Sequence, residues 1–488
     1  MLESKAEYGP FWEQPLPEDE RLAEQVRHER EENLLLDPRT PAENNELVLA
    51  RMQRTGLPFW ILVLGLGGLT TAFFVTWGIQ MVYGIGITGL NRSVMWGPYI
   101  ANLVYFVGIG HAGTFISAAL RMMRLDFRRP IARAAETVTL FGLAIAGLFP
   151  LLHVGRVWKI FYMIPIPNQR QLWPNFRSAL FWDATAITTY IIGSTLFMYI
   201  ALMPDLAMAR DHFKDKKGWR RRVYGALSMG WRGTEGEWHR LESVSNILSW
   251  IIIPVMFSVH TGVSWNFAMA IQPGWHSTIF GPFFIVGALF SGVAAVILVM
   301  IILRKTMGFG YFMRESHFNA MGIFLLLMSM AWVYFYFTEW IVNWYGNLPM
   351  EKALQAMLTG ELAPLFYLML FCNIVVPLGT LWSRRVRTSL PAMVVICLLI
   401  QVGMYLERIL IVSGFLSRNE LPFNWVDYVP RWPEIVITVG ALGFLGLLYA
   451  LWTRVIPIIP VWEVYEGQAT QGTRQIGRAI VSTRSEHH

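Results

Sequence analysis

Four protonatable side chains stand within or at the edge of apolar stretches of the sequence. His111 lies in GIGHAGT, His153 in LLHVGR, Asp183 in FWDAT and His260 in SVHTGVSW. An ionisable group in hydrocarbon costs at least a few kcal/mol, so each is a functional candidate unless a structural partner accounts for it. An imidazole and a desolvated carboxylate are also bases that accept protons near neutral pH. These residues predict proton transfer with a bound substrate.

The composition indicates that a membrane surrounds these groups. Hydrophobic residues make up 54% of the 488 residues and charged residues 15%, an apolar excess over an ordinary soluble domain. About ten runs are long enough to cross a bilayer as helices, and their only charged residues are Asp183, Glu339, Glu407 and Arg408. The runs are 58–83, 98–120, 137–154, 178–203, 244–271, 277–303, 318–345, 362–382, 388–416 and 435–453. We therefore predict an all-α polytopic membrane protein.

The four groups are predicted to share one half of the membrane. At 1.5 Å rise per residue, Asp183 lies about five residues, or roughly 8 Å, inside its run, and His153 lies at the end of the third run. From that same side, His260 is about ten residues deep and His111 about thirteen. Aromatic and hydrogen-bonding side chains accompany them in the sequence: Arg156, Trp173, Asn175, Arg177, Trp182 and Trp265. This mixture suits a flat, amphipathic ring with two oxygens, and a quinol is such a molecule.

Oxidation of a quinol also requires an electron acceptor. His111 and His260 differ in depth by about three residues, roughly 4.5 Å, so a b-type haem between them is one alternative. The other is a cluster or haem of a partner subunit. The two cysteines, Cys372 and Cys397, are too few for an iron–sulfur cluster in this chain, and no other metal site is evident.

A second polar group lies in the seventh and ninth runs. Glu339 and Arg408 fall within about two residues of the same depth, so they could pair, whereas the neighbours Glu407 and Arg408 are not expected to face each other. A structural ion pair and a proton relay are both consistent with this group. His317 and Asp205, near the inner ends of the seventh and fourth runs, could extend a relay to the cytoplasm.

Basic residues are concentrated in alternate loops. The loops after the second, fourth, sixth and eighth runs hold 20 Lys or Arg, against about 8 in the other five. The positive-inside rule then places these loops and both termini in the cytoplasm. Residues 1–57, with 7 basic and 13 acidic side chains, form an acidic cytoplasmic tail, and residues 456–488 form a second tail. Because topology accounts for basic loops such as KDKKGWRRR, we expect no nucleic-acid partner.

Several stretches resemble one family. They are PYIANLVYFVGIGHAGTFISAALR, AAETVTLFGLAIAGLFPLLHVGR, LWPNFRSALFWD, SVHTGVSWNFAMAIQPGWHSTIFGP, YFTEWIVNWYG and LERILIVSGFLSRNELPFNWVDYVPRWPE. Together they are similar to the NrfD/PsrC family of integral membrane subunits, and within it to the branch found in bacterial alternative complex III. The resemblance covers most of residues 98–455.

The resemblance implies a fold and a site. Residues 98–271 would form a quinol-binding four-helix bundle and 277–416 a second bundle, flanked by 58–97 and 435–453. Menaquinol would bind in the first bundle near the periplasmic face of the bacterial inner membrane. His153 and Asp183 would act on it, with His111, His260 and the residues around them as its binding site. Glu339, Glu407 and Arg408 would serve proton translocation.

The resemblance also implies partners. Electrons would pass to iron–sulfur and cytochrome c subunits at the periplasmic face, with no haem or cluster bound in this chain. A paralogous membrane subunit and lipids would surround it. Two alternatives remain: an NrfD-type anchor of another quinone-linked oxidoreductase, and an ion-coupled transporter without redox chemistry. Transporters with midplane sites usually show broken helices and internal repeats, and neither is clear in this sequence.

We predict that the acidic tail contacts another subunit, because its charged helical stretch EDERLAEQVRHEREENLLL has no membrane-length apolar run. Deleting residues 1–45 should weaken assembly of the complex while the membrane fold stays intact. The stoichiometry of subunits and the thermal stability of the purified complex measure this. A complex that purifies whole and with normal stability would assign the tail another role.

Overall fold

Ten membrane-length helices make up most of the molecule. The computed structural model describes residues 41–123, 125–164, 179–215, 218–464, 471–476 and 479–484. Its ten spans, numbered here from first to tenth, are Leu57–Tyr83, Pro98–Met122, Arg129–His153, Phe181–Phe213, Glu235–Ala268, Phe280–Thr306, Glu315–Gly346, Ala363–Thr380, Leu390–Gly414 and Trp432–Val455. The ten predicted helices are confirmed, and the chain is a multi-pass membrane protein.

Three spans extend beyond the predicted apolar runs. The third begins at Arg129, the fourth continues to Phe213 and the fifth begins at Glu235. Each extension lies on the side that carries the basic loops, hereafter the basic side. Polar residues continue a helix there because part of its surface meets water. Arg133 and Glu136, which precede the predicted run 137–154, therefore belong to the third span.

The spans pack in two groups, called here the first and second bundles. Spans two to five pack in a ring, and spans six to nine form a second group. The bundles meet where the sixth span packs on the second and fifth, and the first span pairs with the tenth beside them. The sixth span is therefore a wall common to both bundles.

The GIGHAG sequence of the second span is a packing element. A Cβ added at Gly113 would lie 1.9 Å from the carbonyl oxygen of Ala135, and one at Gly108 would lie 3.4 Å from Ala288 Cα. Small residues let membrane helices approach this closely. The second span is consequently held close to the third and sixth spans on either side of His111 in the sequence.

The N-terminal side of the first span is packed rather than free. Helix Pro41–Gln53 buries Val48, Leu49 and Met52, and the last two pack with residues at the basic end of the fourth span. Part of the predicted tail 1–57 is thus integral to the fold, while residues 1–40 lie outside the described residues. Beyond the helical membrane domain, strands Gln471–Ile476 and Ala479–Arg484 pair as an antiparallel hairpin, which the all-α prediction did not include.

The segment after the tenth span is tied to the third span by a buried carboxylate. Glu463 accepts a hydrogen bond from Arg128 Nη1 at 2.7 Å, and Arg121 Nη1 lies 3.5 Å away. Burial raises the pKa of Glu463, but the guanidinium groups of Arg128, Arg121, Arg133 and Arg129 outweigh it and lower the pKa overall. The carboxylate is therefore ionised where it binds these arginines.

Replacing Glu463 by Gln should destabilise this junction by about 3–5 kcal/mol, because it leaves buried guanidinium charge without its partner. A lowered pKa means that the stabilisation is complete above the unfolded pKa of about 4.3 and is lost as the pH falls through the folded value. The difference in thermal stability between wild type and variant should be constant near neutral pH and shrink under acid. Exposed Glu242→Gln is the matched control, and an equal effect there would refute the assignment.

Candidate functional site

Two histidines from adjacent helices of the first bundle, the second and fifth spans, are in contact. The ring centroids of His111 and His260 lie 4.4 Å apart, with the rings inclined at 61°. Both side chains are buried, and Tyr190 of the fourth span packs on His111 at 4.6 Å. The predicted proximity of these histidines is thus realised. Rings in direct contact leave no room for a porphyrin between them, so this arrangement does not fit haem ligation by the pair.

Both ring nitrogens of His111 lie against backbone carbonyl oxygens. Its Nδ1 lies 2.7 Å from the carbonyl oxygen of Val107, and its Nε2 lies 3.3 Å from that of Met256. A neutral imidazole has one N–H and can donate to one of these carbonyls, whereas an imidazolium can donate to both. The two carbonyls therefore fix the orientation of the His111 ring.

Asp183 and His153 lie at the same end of adjacent helices. A Cβ on Gly147 of the third span would lie 3.8 Å from Ile187 of the fourth. Asp183 comes one helical turn before Ile187 and His153 nearly two turns after Gly147, so both lie roughly 6–9 Å beyond this contact. Asp183 is buried, and the side chain of Asn266 on the fifth span hydrogen-bonds it. Asn266 itself was missed because an amide has no charge to stand out in an apolar run.

The other predicted site residues have varied positions. Arg156 is exposed, Trp182 is partly buried and Trp265 is 48% exposed. Trp173, Asn175 and Arg177 lie outside the described residues. The part of the site that the structure shows is therefore built by the second, third, fourth and fifth spans, which carry His111, His153, Asp183 and His260.

Six buried polar atoms in this region lack a hydrogen-bonding partner among the described residues. Four belong to imidazole or carboxyl groups: Nδ1 of His153, Oδ1 of Asp183 and both ring nitrogens of His260. The other two are the Tyr190 hydroxyl and Oδ1 of Asn266. A buried polar atom left unpaired costs about 1–3 kcal/mol, and lipid supplies no substitute partner. Such atoms point to a bound ligand or water.

A polar row runs from this region to the basic side. Thr114 and Ser194 hydroxyls lie 3.4 Å apart, one turn below His111. Further along, Ser117 donates to Glu136 at 2.5 Å, and Arg133 lies 3.6 Å from Glu136.

The row ends at Asp205, 3.1 Å from Arg133, where a cavity of about 270 Å³ opens on the basic side. The structure thus places Asp205 in the first bundle. His317, its predicted companion, instead accepts a hydrogen bond from the backbone of Arg314 at the start of the seventh span. Arg133 and Glu136 were missed because the third helix was expected to begin after them.

In the second polar group, Glu339 and Arg408, which could have paired, have other partners. Glu339 accepts hydrogen bonds from Ser277 at 2.6 Å and Asn343 at 3.2 Å. Arg408 pairs with its neighbour Glu407 at 3.4 Å. The expectation that adjacent residues would not meet was wrong, because the long arginine side chain bends back to the carboxylate. Trp332 donates to Glu407 at 3.3 Å.

Glu339 and Glu407 line one small cavity. It has a volume of about 60 Å³ and also meets Tyr336 and Glu351. By volume it holds roughly four waters. The two carboxylates are therefore neighbours across a hydratable space rather than direct partners.

Phe284 of the sixth span connects the two groups. Its ring centroid lies 6.2 Å from that of His260, and the Arg408 guanidinium carbon lies 4.6 Å from the same ring. A cation over an aromatic face is attracted by the ring quadrupole. One aromatic side chain thus separates the histidine pair of the first bundle from the ion pair of the second.

A family model described as polysulphide reductase, NrfD, matches residues 86–416. The chain belongs to the NrfD family. Similar proteins include one assigned as a membrane subunit of a dimethyl sulfoxide reductase in Halobacterium salinarum, 26% identical over 51% of this chain and 51% of the relative. A selenate reductase subunit of Mesobacillus selenatarsenatis is 22% identical over 56% of this chain and 63% of its own length.

A third similar protein is named as a cytochrome subunit. It is assigned as the b-type cytochrome subunit of Ni/Fe-hydrogenase 2 in Escherichia coli, and it is 32% identical over 23% of this chain and 28% of its own length. The chain spans less than two thirds of the length of each of these relatives. All three relatives are named as subunits, and this chain is a multi-pass membrane member of the NrfD family.

Separated from its partners, the NrfD chain should show no stoichiometric Soret absorption, because the contact between His111 and His260 excludes a porphyrin from between them. The measurement is an absorption spectrum of the purified chain, oxidised and dithionite-reduced. A stoichiometric band that disappears in His260→Leu but persists in His276→Leu, a change at a histidine outside the site, would overturn this interpretation.

Proposed function

We propose that this NrfD protein is the quinol-oxidising membrane subunit of an alternative complex III, equivalent to its larger NrfD-like subunit, ActC. The observation that carries the proposal is the group of four unpartnered polar atoms on His153, Asp183 and His260. Bases in this position suit a ring that presents hydroxyl groups. The acidic N-terminal tail is the reason for preferring ActC to the smaller paralogous subunit of such complexes.

Oxidation of a quinol releases two protons and two electrons. In this proposal Asp183 or His153 accepts a proton near the end of the bundle, and His260, whose ring nitrogens are unpartnered, accepts one deeper in the membrane. The carbonyls of Val107 and Met256 hold the His111 ring in place beside it. The electrons pass to partner iron–sulfur and cytochrome c subunits docked over this end.

Orientation and substrate form part of the same proposal. With the basic loops in the cytoplasm, Asp183 faces the periplasm of a bacterial inner membrane, so protons from the quinol leave to that side. Menaquinol is the quinol implied by the resemblance to alternative complex III. The named relatives support an equally simple alternative, in which the same site serves as the membrane anchor of another quinone-linked oxidoreductase.

Proton translocation through the second bundle is a further part of the proposal. The cavity shared by Glu339 and Glu407 favours it, because waters there would join two carboxylates that do not touch. Arg408 would stabilise the ionised form of Glu407. The polar row from Thr114 to Asp205 provides a comparable series in the first bundle, and His317 lies apart from both.

Asp183→Asn should reduce quinol:acceptor turnover by about 10² or more, because it removes a base while preserving volume and a hydrogen-bonding side chain beside Asn266. Glu339→Gln, the same chemical change in the second bundle, should spare turnover more and lower any proton-to-electron ratio. Both are measured in the assembled complex, after its full set of subunits has been verified. Near-normal turnover of Asp183→Asn would reduce this carboxylate to a structural role, and co-purified quinone and partner subunits test the identification independently.

A further inference from the structure

A third cavity lies away from the proposed quinol site. It has a volume of about 510 Å³ and opens where the eighth, ninth and tenth spans end on the side opposite the basic loops. Its deeper wall is apolar and includes Leu365, Ile409, Leu410, Ile435 and Val439. Leu365, Ile435 and Val439 are also 39–53% exposed on the surface that faces lipid. The cavity is thus continuous with the hydrocarbon surface of the protein.

The rim of the cavity is acidic. Its described lining contains three carboxylates, Glu361, Asp427 and Glu434, and no lysine or arginine. Glu434 is occupied structurally, since the backbone N–H groups of Gly89 and Arg431 donate to it at 2.7 and 2.8 Å. Glu361 and Asp427 share Arg418, which hydrogen-bonds both.

Those two carboxylates remain accessible to a ligand. Arg418 is buried behind them, while the side chains of Glu361 and Asp427 are 61% and 82% exposed. Two carboxylates against one guanidinium leave an excess of one negative charge at the rim. The rim therefore favours a cationic group.

Inside the cavity, one hydroxyl lacks a partner. Ser413 is 2% exposed, and its Oγ makes no hydrogen bond to a described residue. It belongs to a π-helical segment, Leu410–Gly414, that ends the ninth span and lines the cavity. Such segments are frequent at functional sites. A ligand with a hydrogen-bond acceptor below its head group would satisfy this hydroxyl.

We propose that this cavity binds an aminophospholipid of the phosphatidylethanolamine type. The ammonium group lies between Glu361 and Asp427, and an ester carbonyl accepts a hydrogen bond from the Ser413 hydroxyl. An acyl chain lies along the apolar wall between the eighth and tenth spans. A quinone has no cation for the rim, and an anionic lipid would meet carboxylates without a lining cation. The proposal is independent of the redox function.

The test uses the intact complex in nanodiscs that contain phosphatidylethanolamine or phosphatidylglycerol with the same photoreactive acyl chain. After illumination, mass spectrometry maps and counts the labelled residues. Adducts of the ethanolamine lipid should concentrate in the walls of the cavity, between residues 405 and 439 and around Leu365. They should exceed those of the glycerol lipid by about fivefold, the upper scale of one exposed ion pair.

Three variants define the site. Leu365→Trp and Val439→Trp should each abolish most labelling by filling the acyl-chain space, while Leu327→Trp, at an exposed position on the seventh span, should leave it unchanged. The double variant Glu361→Gln, Asp427→Asn should remove the preference for ethanolamine but keep acyl labelling. Assembly of each variant is checked from the stoichiometry of its subunits.

The proposal fails if both lipids label the cavity equally in wild type, or if the tryptophan variants do not reduce labelling. It also fails if the cavity gives no adducts, as it would if another protein of the complex covered it, or if quinone labels these residues in preference to phospholipid. Quinol turnover of the tryptophan variants is recorded separately, so loss of the lipid site is distinguishable from loss of the proposed function.

Discussion

A polar atom buried in a membrane must find its partner within the protein, because hydrocarbon offers none. Most buried charges of the described chain meet this condition: Arg133 with Asp205, Arg408 with Glu407, and Arg128 with Glu463. Unpartnered polar atoms occur at several places in the described chain, and four of them belong to His153, Asp183 and His260 in the first bundle. In the proposed function, a ligand in the first bundle would complete the hydrogen bonds of these groups.

Close helix packing fixes where those bases stand. Gly113 brings the second span against the backbone of the third, and Gly108 brings it against the sixth, so His111 has little freedom to move. Its two carbonyl contacts are set by helices rather than by loops. A base held in this way needs little reorganisation when its charge changes, which is the property that makes fixed dipoles effective in catalysis.

Much of the fold was predictable because membrane thickness imposes a length that apolar runs reveal directly. The meeting of His111 with His260 also followed from depth, since both lie on helices of one bundle. Depth says nothing about the direction in which a side chain points around its helix, so Asp205 and His317 were grouped although they lie in different bundles. Arg133 and Glu136 were overlooked because a charged helix end looks like a loop, although Arg129, Arg133 and Glu136 recur with helical spacing.

The sixth span contributes one side chain to both polar groups, since the Phe284 ring lies near His260 in the first bundle and near Arg408 in the second. A helix turns by about 100° per residue, so inserting or deleting one residue before Phe284 would swing the ring away from both. A change in the length of this helix that suited one bundle would therefore alter the contacts of Phe284 in the other. Loops and tails can vary in length without this effect, but the register of the sixth span constrains both bundles at once.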